Sequence, residues 1–159
     1  MKNQLLYILL LSALTIYCRD CFSQSNIPLS YETECLGVEL DGSQTVRSWG
    51  IGKSKIDAKE QAKKNAVWDV IFKGIPSNGT GCNTRPLLYE VNAQEKYEYY
   101  FNAFFKDGGE YKKYINNADT KKGSKITKKG KSQDAVSVVV RVKRMELLER
   151  LIADKIIKQ

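Results

Sequence analysis

Between Gly50 and Ala66 the chain reads GIGKSKIDAKEQAKKNA, and no other stretch constrains the fold as strongly. It follows Thr45–Ile51 (TVRSWGI), which is β-branched and aromatic enough to be a strand. Ser54 stands where a helix N-cap belongs, and Asp57 three residues on favours the positive end of the helix dipole. Ala58, Ala62, Ala66 and Val70 recur every four residues, so they form one stripe. Alanines on such a stripe let a helix lie close to a sheet. Trp68, Ile71 and Phe72 widen the apolar face, and Gly74 followed by Pro76 ends the helix. The stretch predicts a strand that turns into a capped helix over 54–73.

The same glycines invite a nucleotide reading, which fails at required positions. A phosphate loop of the form G-x-x-x-x-G-K-S/T ends as Gly52-Lys53-Ser54 does, but its first glycine would fall on Arg47. A dinucleotide fingerprint G-x-G-x-x-G has Gly50 and Gly52 and then meets Lys55.

Upstream, Cys35–Leu40 alternates, with Leu36, Val38 and Leu40 on one side and Glu39 on the other, as a half-buried strand does. Asp41-Gly42 supplies a hairpin turn into the second strand. Residues 77–86 are a loop by composition. Pro86–Val91 reads as a short strand or an extended connection. Asn92 and Glu95 make an N-x-x-E capping pattern. Tyr97, Tyr100, Phe101, Phe104 and Phe105 then fall at helical spacing, and Glu110–Ile115 adds a further turn or two. Residues 121–131 (KKGSKITKKGK) hold six lysines in eleven positions, either a basic loop or a hairpin edge strand blunted by lysine. Val136, Val138, Val140 and Val142 share one face of a strand. A last helix over 145–157 carries Leu147, Leu148, Leu151, Ile152 and Ile156 on one side.

The N-terminus speaks to compartment. Lys2 precedes an uncharged apolar run, Leu5–Tyr17, that is shorter than the roughly 20 residues a spanning helix needs. It fits the core of a secretory signal peptide rather than a buried helix. Cys21-Phe22-Ser23 offers small residues at −3 and −1, so cleavage after Ser23 leaves Gln24 first. Lipidation at Cys18 or Cys21 is the alternative, but Tyr17 and Asp20 precede those cysteines and neither is small. Removing 1–23 takes away Lys2, Arg19 and Asp20 and leaves 24 basic and 17 acidic side chains, a net charge of +7. Such a surface attracts acidic partners such as lipid headgroups or anionic glycans, or simply keeps the protein soluble. Two cysteines remain, Cys35 and Cys82. Export to an oxidising compartment favours a disulfide between them; a free buried thiol or a pairing between chains are the other options.

Much chemistry is missing. The 159 residues include no histidine, which removes the commonest general base and most zinc sites. No catalytic, cofactor-binding or metal-ligating set is identified, and an enzyme is the third-ranked reading. The aromatic run at 97–105 suits a core stripe, or a platform that stacks sugars or nucleobases. The C-terminal helix either returns onto the sheet or lies at a membrane surface, given Arg144, Arg150, Lys155 and Lys158.

Thr45-Val46, Gly50–Ser54, Ala58, Ala62 and Ala66, then Val136–Val142 with Leu147, Leu148 and Leu151, resemble a small bacterial envelope domain. That domain is shared by twenty-kilodalton outer-membrane lipoproteins and the N-terminal part of the flagellar protein FlgT. The resemblance covers about 35–74 and 125–157. The aromatic middle resembles an insert of exported Bacteroidota proteins. The resemblance implies an α+β fold, helices on one face of a small antiparallel sheet, and a non-catalytic assembly or accessory role in the envelope. It carries over no catalytic residues.

The expectation is therefore a signal peptide over 1–23 and one exported α+β domain over 24–159, with an aromatic helical insert at about 76–120. Its place is the periplasm or the extracellular space, with association to the outer membrane as the further option. It binds an envelope protein or surface polymer, with no cofactor and no nucleic acid. The second reading is an anionic lipid or glycan held by Lys121, Lys122, Lys125, Lys128, Lys129 and Lys131 with nearby tyrosines.

Overall fold

Two strands of alternating residues, each with one face packed beneath a helix, organise the molecule. The computed structural model describes residues 32–76, 79–116, 126–129 and 133–158. In chain order the elements are β1 (Glu34–Val38), β2 (Gln44–Gly52), α1 (Lys55–Phe72), α2 (Ala93–Lys96), α3 (Glu98–Phe105), a 3₁₀ turn (Glu110–Tyr114), β3 (Ile115–Asn116), β4 (Thr127–Lys129), β5 (Asp134–Val142) and α4 (Arg144–Ala153). All pairings are antiparallel, so the fold is α+β with an open sheet in the order β1-β2-β5-β3; β4 shares an edge of β5 with β3.

β2 and β5 pair along their whole lengths, Gln44 opposite Val142 through Gly52 opposite Asp134. That register puts Val46 and Gly50 on the same face as Val136, Val138, Val140 and Val142. Against this face lies α1, with Ala58, Ala62, Ala66 and Val70 fully buried. A Cβ built on Gly50 would stand 2.2 Å from both the Ala58 carbonyl oxygen and the Ala62 nitrogen, and one on Gly52 would stand 2.5 Å from the Ala58 nitrogen. The glycines thus permit a backbone-to-backbone approach, beyond the turn they mark in the sequence. Ser54 caps α1 as expected, its Oγ accepting from the Asp57 N–H at 3.2 Å.

The C-terminus of α1 is finished by another segment. Leu87 and Leu88 donate their N–H groups to the carbonyls of Val70 and Ile71 at 3.1 and 2.8 Å. Those carbonyls have no partner within a helix end, so residues 86–91 serve as a cap and form no strand. Gly74, at φ +76°, turns the chain away.

Two local expectations are corrected, and β5 is more deeply buried than its valine alternation alone requires. In β1 it is Cys35 that is buried, while Leu36, Val38 and Leu40 are exposed. The register shifts between Cys35 and Gly37, a bulge that resets the alternation. Asn92 does not cap through its side chain, because it adopts a left-handed conformation at φ 59° and α2 lasts only four residues. Finally, β5 is buried on both faces from Ala135 to Val140. Its small residues Ala135, Ser137 and Val139 lie opposite the larger Ile51, Trp49 and Arg47 of β2.

Cys35 and Cys82 form a disulfide with their Cα atoms 5.9 Å apart, tying the outer strand β1 to the loop after α1. The aromatic segment joins the main core: Phe101, Phe104, Tyr111 and Tyr114 are buried in one cluster with Val70, Val140, Leu147 and Leu151. Polar links hold it from both sides. Tyr100 donates to Asp154 at 2.6 Å, and Arg150 bridges Asp154 and Glu110. Tyr111 donates to Glu60 at 3.1 Å, and Lys63 and Lys112 bind the same carboxylate at 2.8 and 3.0 Å. The α4 residues Leu147 and Leu151 enter the core, which is the sheet-returning option for the last helix. Among the described residues no helix is long and apolar enough to cross a membrane.

The Glu60 cluster carries a pH signature. The Lys63 ammonium hydrogen-bonded to it, outweighing partial burial and helped by Lys112 and Tyr111, holds its carboxyl down at about 2. A depressed folded pKa means stability that is complete above the ordinary carboxylate range and is lost as pH falls toward that value. Melting temperature followed from about pH 5 to about pH 2 should therefore show Glu60→Gln less stable than the parent at the upper end, with the gap closing in acid. A gap of constant size across that range contradicts the assignment.

Candidate functional site

A groove runs between α1 and the α2–α3 segment, with a volume of about 790 Å³. That lies within the range of small-ligand sites. Its floor is aromatic. Trp68 packs beside Phe105 at a ring-centroid distance of 5.5 Å, and Phe105 lies 6.3 Å from Phe101. Trp68 and Phe105 are only half-buried, so their rings remain in reach of a ligand.

Each wall is a helical ridge. On α1, Gln61, Asn65, Asp69 and Lys73 follow one another every four residues and so stand one above the next. This ridge is rigid. Gln61 donates to Asn65 at 2.8 Å, and Asn65 donates to the Trp49 carbonyl at 2.7 Å. Asp69 accepts from the buried Thr33 hydroxyl, which is also 3.0 Å from the Ser48 hydroxyl. A hydroxyl has one proton. The Thr33 proton goes to the charged carboxylate, so Ser48 donates to Thr33. The chain leading into β1 is thereby fastened to the helix and the sheet.

The opposite wall carries Gln94, Glu95, Glu98 and Asn102. All four are exposed, and none is hydrogen-bonded or ion-paired to another side chain among the described residues. The cations on the other side are engaged: Lys64 with Asp107 at 2.8 Å and Lys73 with Asp69 at 3.4 Å. The arrangement therefore offers accessible aromatic ring faces lined by hydrogen-bonding amides and carboxylates. The sequence carried a signal for it in the four-residue recurrence of Gln61, Asn65, Asp69 and Lys73, which by itself reads as a solvated helix face.

The described part of the lysine run, 126–129, lies away from the groove. Lys121, Lys122, Lys125 and Lys131 lie outside the described residues. Lys128 and Lys129 belong to β4, opposite Ala135 and Asp134 of β5, so this part of the run is an edge strand. Lys128 lies over the Trp49 ring at 5.6 Å, on the sheet face away from α1. The same face holds Arg47, paired with Glu34 at 3.0 Å, and Arg141, paired with Glu39 at 3.1 Å. The tyrosines of the aromatic segment are not beside it. Tyr100 and Tyr111 face α4 and α1, and burial followed by their bonds to Asp154 and Glu60 pushes both phenols well above the usual range.

Among the described residues no three metal-ligating side chains converge. No protein-family model, curated protein or solved structure matches the chain.

Proposed function

We propose that the chain is an exported, non-catalytic binding protein of the cell envelope, and that its ligand lies in the groove between α1 and α3. One observation carries this reading: two polar walls line a groove with an accessible aromatic floor, and the side chains of one wall are bonded to no other side chain among the described residues. The groups present recognise rather than transform. They supply donors, acceptors and apolar area, while Asp69, the one well-buried carboxylate among the described residues, is already bound by Thr33 and Lys73. The Cys35–Cys82 disulfide supports export, because such bonds persist in oxidising compartments.

The test uses the full exported chain and immobilised envelope material from the cells that make it. Asn102 is exposed on the groove wall, so Asn102→Trp should fill the groove with little effect on folding. Retention is expected to be lost in that variant and kept in Lys128→Glu. Absence of retention by the parent, or retention untouched by Asn102→Trp, overturns the reading. Mass spectrometry of the same preparation should find Gln24 at the N-terminus; an acylated Cys18 or Cys21 corrects the anchoring.

A second reading rests on the opposite sheet face, which carries Arg47 and Arg141 and has Lys128 over the Trp49 ring. It predicts retention on an anionic matrix that collapses as salt screens the cations.

A further inference from the structure

We infer that the groove takes a neutral, hydroxyl-rich sugar chain; this rests on the groove being the binding site. A pyranose ring has C–H groups on its faces and hydroxyls around its rim. The first need the flat apolar face of a ring, which Trp68 and Phe105 each offer, their planes tilted 56° from one another so that the two faces suit neighbouring sugars rather than one. The second both donate and accept, and carboxamides offer a donor and an acceptor side by side, while carboxylates accept two bonds. Gln94, Asn102, Glu95 and Glu98 line the same groove and supply those groups.

Other ligand chemistries fit less well. An anionic chain would meet Asp69, Glu95 and Glu98, while Lys64 and Lys73 are already paired. A lipid tail would strip water from the free amides and carboxylates and give them no partner in return. A basic peptide satisfies Glu95 and Glu98, but it brings no broad apolar face to the aromatic floor.

The groove also points to a chain rather than a single sugar. Gln94 and Glu95 line, in addition, an adjoining hollow of about 490 Å³ beside Phe72 and Tyr89. Tyr89 and Tyr99 stand out on the surface at 86% and 91% exposure, offering further ring faces beyond the groove.

The experiment titrates the mature chain with cellohexaose, xylohexaose and chitohexaose as neutral probes. Hexalysine and an oligogalacturonate serve as the cationic and anionic probes. The chain has two tryptophans, so in a Trp49→Phe background the emission of Trp68 reports groove occupancy alone. At least one neutral hexasaccharide is expected to shift that emission, with affinity nearly unchanged from about 50 to about 500 mM salt. Glu98→Ala with Asn102→Ala should weaken it about tenfold or more, and Lys128→Glu should leave it as it was.

Binding by hexalysine or oligogalacturonate alone, or neutral binding indifferent to Glu98 and Asn102, overturns the inference. If no neutral probe binds but Asn102→Trp still abolishes retention on envelope material, the sugar assignment falls and the groove remains the site. If retention also ignores Asn102→Trp, both fall.

Discussion

Replacing Cys35 and Cys82 together with alanine is expected to remove about 4 kcal/mol of folding stability, the value that loop-closure entropy assigns to a crosslink across 47 residues. That is a large share of the roughly 5–15 kcal/mol that holds a typical domain together. The position of the bond sharpens the expectation. β1 is an outer strand with a bulge in its pairing to β2, and the disulfide joins it to the loop after α1. The further link there is a 3.3 Å bond from the Thr80 hydroxyl to the Cys35 carbonyl. Urea unfolding of the parent, the double variant and the reduced parent measures the effect. Equal midpoints with equal slopes for all three contradict it.

Gly50→Ala is the second large effect. The added methyl would sit 2.2 Å from two backbone atoms of α1, where no rotamer change relieves the overlap. The helix must move off the sheet, and the packing of Ala58 and Ala62 goes with it. The expected loss is about 3 kcal/mol or more, the upper range for overpacked cores. Gly37→Ala in β1 is the matched control. Its new Cβ meets nothing within 4 Å, so stability should stay within about 0.5 kcal/mol of the parent. Similar losses from the two substitutions would mean that α1 does not approach the sheet this closely.

Local signals were well recorded in the sequence. The alanine stripe, the Ser54 cap, the Gly74 stop and the valine alternation of β5 each follow from residue spacing, and each is found in the structure. Where the reading went astray, a distant partner decided. Leu36 and Val38 have strand-like spacing, but a bulge and the link to Cys82 turn Cys35 inward instead. Pro86–Val91 reads as a strand or extended connection, yet it forms no strand and its backbone bonds serve the end of a helix fifteen or more residues earlier. Asn92 matches a capping pattern, but the left-handed turn there directs its side chain elsewhere. The groove was the least legible feature. Its two ridges belong to helices separated by a loop, and each alone is an ordinary hydrophilic face. Only the docking of Phe101 and Phe105 against Trp68 and Phe72 sets them opposite one another.

The strand order carries a consequence for the birth of the molecule. β5 is the last strand in the sequence and has neighbours on both of its edges, β2 on one side and β3 and β4 on the other. A chain that emerges from its N-terminus therefore holds β1, β2 and α1 with no centre to assemble on until the final quarter is released. Long-range pairing of this kind is slow, because the loop must close before any contact rewards it. The pairing partner of β2, β3 and β4 is therefore absent until β5 has emerged. An architecture with β5 at the sheet margin would have no such delay.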